Sequence, residues 1–246
     1  MHLNKLIKYN FYFFSILFIF SCSNNSETII IEEEVAEEEV IEEPIDKKIN
    51  ILSLGDSYTI GQSVCEKCRF PEQLADSLRQ RNNELEFDVN VLATTGWTTR
   101  NLINAIDNSD LTTDFDLVTL LIGVNNQYQK LPFSTFEDEF PILIDMAINA
   151  VGLAKSKLIV LSIPDYAFTP FGNGNTTISQ EIEEYNTHIK NFCESRNITF
   201  LNITDITQQG LANPIYVARD GLHPSKEAYT EFVKRLIPLA IEKLGL

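Results

Sequence analysis

The chain has 246 residues, 19 Lys and Arg against 35 Asp and Glu, and a hydrophobic share of 44%. That length allows one or two domains, and that apolar share excludes a wholly disordered chain. A formal charge of −16 argues against nucleic acid as a partner, because phosphate binding needs a basic face. Four Cys are too few for a fold built on a disulfide framework.

Residues 1–21 read as a signal peptide. Lys5 and Lys8 form a positive start, followed by an apolar run from Phe11 to Phe20. The run is about half the ~20 residues that a membrane-spanning helix needs, so the apolar core of an export signal is the better reading. It ends in Ile19-Phe20-Ser21-Cys22, which resembles a bacterial lipobox with Cys22 as the lipidated residue. Residues 22–48 form an acidic tether; positions 23–48 hold ten acids and two Lys, a charge of −8. Such a stretch repels itself and buries little apolar surface. The expectation is an exported protein, lipid-anchored to a bacterial membrane on its periplasmic or cell-surface side.

Residues 49–246 carry a charge of −10, from 15 basic and 25 acidic side chains. Apolar runs of strand length recur at Ile49–Leu54, Phe87–Leu92, Leu117–Ile122, Leu158–Ile163 and Phe200–Ile203. Their Val, Ile and Leu content predicts strands buried on both faces. Helical patterns lie between them. Pro71 opens a helix that presents Leu74, Ala75 and Leu78. Between Ser179 and Arg196, the residues Ile182, Tyr185, Ile189, Phe192 and Cys193 keep a 3.6 period. Pro224 opens a last helix, which Pro238 is expected to kink or shorten. Alternating strand and helix predicts right-handed crossovers and a three-layer α/β/α fold around a five-stranded parallel sheet.

Ligands bind such sheets at the carboxyl ends of the strands. After the first strand run stands Gly55-Asp56-Ser57-Tyr58, after the second Thr94-Thr95-Gly96-Trp97, and after the third Gly123-Val124-Asn125-Asn126. Asp220-Gly221-Leu222-His223 precedes the last helix. Alone, each reads as a turn or a cap; together they converge on one edge. With the signal removed, only His188 and His223 remain. His188 lies off the apolar centre of its helix, which leaves His223 as the neutral-pH base, with Asp220 near enough to orient it.

These four blocks, in this order, resemble the SGNH hydrolases, also called GDSL esterases and lipases. The likeness spans the domain from Ile49 onward. It implies a flavodoxin-like SGNH fold and a serine esterase. By that likeness Ser57 is the nucleophile, His223 the general base and acid, and Asp220 the group that fixes the imidazole. The backbone N–H of Ser57, the N–H of Gly96 and the Asn125 side-chain amide form the oxyanion hole. The implied chemistry needs no metal or organic cofactor. Where the family usually has Gly-x-Asn-Asp, Asn126 replaces the Asp, and the expected effect is on local hydrogen bonding. The implied substrate is a small-molecule or polysaccharide ester with a short acyl group such as acetyl. A lysophospholipase or thioesterase activity, or a non-catalytic binding lipoprotein, are the rival readings.

Tyr58, Trp97 and Tyr128 flank the strand-end motifs as candidate substrate contacts, and Tyr166, Phe168 and Phe171 sit in a loop on the same edge. These rings either hold part of the substrate or cap the core. Cys65-Glu66-Lys67-Cys68 fits half a zinc site, a redox motif or a small disulfide. In an exported protein, a local Cys65–Cys68 bridge is the best of these readings.

Overall fold

The computed structural model describes residues 47–246. The signal segment, Cys22 and nearly all of the acidic tether lie outside them. Five strands form one sheet: β1 (Lys47–Gly55), β2 (Leu85–Ala93), β3 (Leu117–Leu121), β4 (Leu158–Leu161) and β5 (Thr199–Leu201). All pairings are parallel, in the spatial order β2-β1-β3-β4-β5. Eight α-helices connect them: α1 (Ser57–Ile60), α2 (Phe70–Arg79), α3 (Thr99–Asp107), α4 (Val124–Tyr128), α5 (Phe133–Ala150), α6 (Thr176–Ser195), α7 (Thr204–Thr207) and α8 (Lys226–Leu244). Among these residues no helix is long and apolar enough to cross a membrane.

All five strand runs fold as strands, but burial on both faces holds only for the inner ones. Every residue of β3 and β4 is buried, whereas β2 and β5 keep partly exposed positions along their length. The strand order explains this: β2 and β5 are the edges. One polar rung crosses the centre, where Thr119 Oγ1 donates to Ser53 Oγ at 2.8 Å and satisfies both hydroxyls in the dry interior.

The last helix corrects its expected start and is not shortened at Pro238. Pro224 does not open it. Pro224 pairs with Val217 in an isolated bridge, and Ser225 caps the helix by accepting from Ala228 N. Pro238 lies inside α8, which continues to Leu244 with Leu236 and Ala240 buried on either side. The apolar face of the helix holds it in place across the missing hydrogen bond.

Sheet order positions the site. The direction in which the chain winds reverses between β1 and β3, and a crevice opens at the carboxyl ends of the strands at such a reversal. Ser57 leaves β1 and Asn125 follows β3, one on each side of that point.

Candidate active site

Asp56 and Ser57 make the turn from β1 into α1. Asp56 caps the helix by accepting from Tyr58 N at 3.0 Å. Ser57 is the first helical residue and is 3% exposed. From the far end of the domain, Tyr229 of α8 donates its hydroxyl to Tyr58 O at 2.9 Å and fixes the turn against the last helix.

Gly96 and Gly123 shape the two loops facing Ser57. Gly96 has φ 83°, a conformation that favours glycine, and a Cβ there would meet nothing within 4 Å. Its peptide therefore borders open space, and Gln129 Nε2 holds its carbonyl at 2.9 Å. Gly123 has φ 128°, and a Cβ on it would stand 2.7 Å from the Phe136 ring. That close approach lets α4 begin directly after β3 and brings Asn125 to the cleft.

A cleft of about 190 Å³ is lined by Ser57, Gly96, Asn125 and His223, and its walls include Tyr128 and Phe171. His223 Nδ1 lies 2.6 Å from Asp220 Oδ2, which leaves Nε2 for proton transfer. No hydrogen bond joins Ser57 Oγ to the ring. That contact commonly tightens only around a substrate. Asn125 Nδ2 donates to Trp97 O at 3.0 Å and, at a longer 3.3 Å, to Asp56 Oδ2.

The two acids flanking this arrangement are pushed in opposite directions. Burial drives the Asp56 carboxyl up to about 7, against the hydrogen bonds from Tyr58 N and Asn125. Burial also acts on Asp220. There it is outweighed by hydrogen bonds from Ser63, from the His223 ring and from the backbone N–H of Leu222 and His223, and the carboxyl is held at about 2. Asp220 is thus ionised throughout the neutral range, as an imidazole-orienting group requires.

Asp56 carries a testable sign. Its ordinary value is 3.8 and its folded value about 7, so between these the folded state binds the extra proton. Stability contributed by this group is therefore present at acid pH and falls as pH rises from about 4 to 7. Urea unfolding at pH 5 and pH 7.5 should show that fall in the wild type, and Asp56→Asn should flatten it.

Asn126, where the resemblance leads one to expect an Asp, is fully buried in a network. Its Oδ1 accepts from Thr99 N at 3.0 Å, and its Nδ2 donates to Thr99 Oγ1 at 2.6 Å. Thr99 Oγ1 in turn donates to the buried Glu139, which also pairs with Arg100 at 2.9 Å. An Asp at 126 would set two carboxylates competing for one hydroxyl hydrogen. Asn126→Asp should cost about 1–3 kcal/mol in urea unfolding at pH 7.

The candidate substrate contacts separate by position. Tyr128 is 52% and Phe171 53% exposed, and their rings lie 6.1 Å apart at the cleft mouth, each also about 6 Å from Tyr166. Tyr58 is buried, its ring 5.1 Å from the His223 ring, and it serves as cleft floor. The Trp97 side chain is partly buried against the core and is absent from the cleft lining, while its carbonyl meets Asn125 at 3.0 Å. Phe168 does not line the cleft either. His188 lies at the boundary between α5 and α6 among Phe133, Phe136 and Phe192. Cys65 and Cys68 form a disulfide and Cys193 is a buried thiol, so neither Cys65 nor Cys68 is available to a metal. Val124 and Leu222, which stand inside two of the motif blocks, supply apolar wall, a role that nothing in the sequence distinguishes from a place in the core.

No curated protein matches the sequence. Solved structures of similar fold include a family 3 carbohydrate esterase from Clostridium thermocellum, at 20% identity and TM-score 0.62 over 81% of this chain and 98% of that one. An acetylxylan esterase from Geobacillus stearothermophilus matches at 19% identity and TM-score 0.55, over 83% and 97%. A lipase/acylhydrolase from Enterococcus faecalis matches at 19% identity and TM-score 0.59, over 77% and 94%. At these identities the likeness shows the fold alone. The family model of GDSL-like lipases and acylhydrolases matches residues 53–230, from within β1 to within α8, and so takes in every strand and loop that builds the cleft. With most of its length matched, this chain belongs to the GDSL-like lipase/acylhydrolase family, the SGNH hydrolases.

Proposed function

We propose that this hydrolase is a serine esterase that removes short acyl groups, acetyl above all, from carbohydrate. One observation carries the reading: Ser57, Gly96, Asn125 and His223 line a single cleft, with the imidazole held by an ionised Asp220.

A Ser hydroxyl attacks an ester only when a base takes its proton. His223 Nε2 accepts that proton as Ser57 Oγ bonds to the acyl carbon, and Asp220 stabilises the imidazolium. The carbonyl oxygen becomes negative. The Ser57 and Gly96 N–H groups and the Asn125 amide supply its donors, the amide giving up its longer contact to Asp56. Collapse breaks the C–O bond, and the alcohol leaves with the proton from His223. Water, deprotonated by the same ring, then attacks the acyl-Ser57 ester, the bond from the acyl carbon to Oγ breaks, and the ring returns its proton to Ser57 Oγ as the acid leaves.

The cleft supports a small acyl group, since about 190 Å³ falls below the roughly 300–1,000 Å³ of pockets that enclose drug-sized ligands. The exposed Tyr128 and Phe171 rings at its mouth offer flat apolar faces to a sugar. Two neighbours in fold are described as carbohydrate and acetylxylan esterases, which favours the same class. We further propose that the protein acts from a bacterial membrane through a lipid on Cys22, with residues 22–48 as spacer. The signal-like start and the acidic run support that placement.

The deciding experiment compares acetylated xylo-oligosaccharides with p-nitrophenyl esters of increasing acyl length. Acetate release from the sugars with turnover falling as the acyl chain grows is the expected result. A preference for long acyl chains would remove the acetyl reading, and failure of a fluorophosphonate probe to label Ser57 would remove the esterase.

A further inference from the structure

The loop between α1 and α2 touches both sides of the site. The N–H groups of Gly61 and Gln62 donate to Ser57 O at 3.1 and 3.0 Å, so the chain doubles back beneath the nucleophile's own carbonyl. Gln62 Oε1 then accepts from Thr95 Oγ1 at 2.6 Å, beside Gly96. The next residue, Ser63, donates Oγ to Asp220 Oδ2 at 2.6 Å across 157 positions of sequence. Ser63 holds φ 68°, an uncommon conformation for a residue with a Cβ, which persists only where its surroundings enforce it. Two positions later the Cys65–Cys68 disulfide closes the loop. Arg69 pins its end to Glu66 at 3.2 Å and Glu72 at 2.8 Å.

The acceptor count at Asp220 shows what Ser63 supplies. An ionised carboxylate offers about four lone-pair sites. Oδ1 takes the N–H groups of Leu222 and His223 at 2.9 and 3.0 Å. Oδ2 takes His223 Nδ1 and Ser63 Oγ, each at 2.6 Å. Ser63 thus fills the last site on the oxygen that faces the imidazole. Without it, a partly exposed carboxylate exchanges a fixed donor for solvent and gains freedom to turn.

We propose that Ser63 is a positioning residue that holds Asp220 in the orientation receiving His223, and that the Cys65–Cys68 disulfide acts on the reaction by fixing Ser63. The inference rests on the reading of Ser57, His223 and Asp220 as the hydrolytic relay. Neither part follows from the sequence motifs: Ser63 belongs to none of the four blocks, and the cysteine pair alone indicates no target.

The test uses the full chain with Ser63→Gly, the Cys65→Ser/Cys68→Ser pair, and all three changes together. Glycine suits the left-handed backbone at 63, so the first variant removes the hydroxyl and leaves the turn intact. The expected loss in kcat on p-nitrophenyl acetate is about ten-fold, with KM within about two-fold, as for a hydrogen bond to a charged group. The Asp220 carboxyl, followed by NMR, titrates upward from about 2. The cysteine pair lowers kcat in the wild type but adds nothing in the Ser63→Gly background. Unchanged kcat together with an unmoved Asp220 titration would overturn the role of Ser63, and additive losses would overturn the coupling to the disulfide. Wild-type protein inert on every ester would sink the hydrolytic reading separately, since the carboxyl titration reports on the Ser63 contact without turnover.

Discussion

Ser57→Ala is expected to cut kcat on p-nitrophenyl acetate by about 10⁴–10⁶-fold, and His223→Ala to cut it as far. The two act as one unit. Without the hydroxyl nothing forms the acyl intermediate, and without the ring nothing takes the proton, so the combined variant should be no worse than either alone. Ser57→Ala should fold normally, because Ser57 Oγ makes no hydrogen bond that the change would remove and Ala keeps the Cβ at this 3% exposed position. Circular dichroism and thermal melting check the fold, and single-turnover kinetics check the chemistry. Retained turnover in pure, folded Ser57→Ala protein would move the nucleophile elsewhere.

Asn125→Ala is the second large effect. Losing one oxyanion donor typically costs ~10²–10³ in rate, and the loss appears in kcat because the donor matters most once charge has formed on the oxygen. KM should move little. The buried Asn125 also ties its own segment to the Gly96 loop, through Trp97 O at 3.0 Å, and to the nucleophile turn, through Asp56 Oδ2 at 3.3 Å. Asn125→Asp separates these roles. It places a carboxylate beside Asp56 and toward a developing negative charge, so its kcat should fall below that of Asn125→Ala. Steady-state kinetics on one short ester ranks the three proteins.

Much of this architecture was legible because strand periodicity and strand-end chemistry are local. The apolar runs at Ile49–Leu54 and Leu117–Ile122 announce buried parallel strands, and the residues just beyond them announce the cleft. Ring placement was not legible. Trp97 and Tyr128 both follow strand-end motifs, yet one packs inward and the other lies half in solvent. What separates them is three-dimensional: the Trp97 carbonyl is held by Asn125 and its ring packs against the core, whereas the Tyr128 ring stands beside Tyr166 and the exposed Phe171. The course of α8 past Pro238 was equally hidden, since tertiary packing of its buried face decides it. Ser63 was the least visible, because its one informative contact is with a residue 157 positions away.

Chain order and spatial order differ in a way that bears on biosynthesis. In the proposed relay, the hydroxyl of Ser57 lies just past the first strand and its proton acceptor past the fifth. Folding must bring all five strands together before that relay closes, so a chain exported unfolded would stay inert toward esters until it reaches its destination.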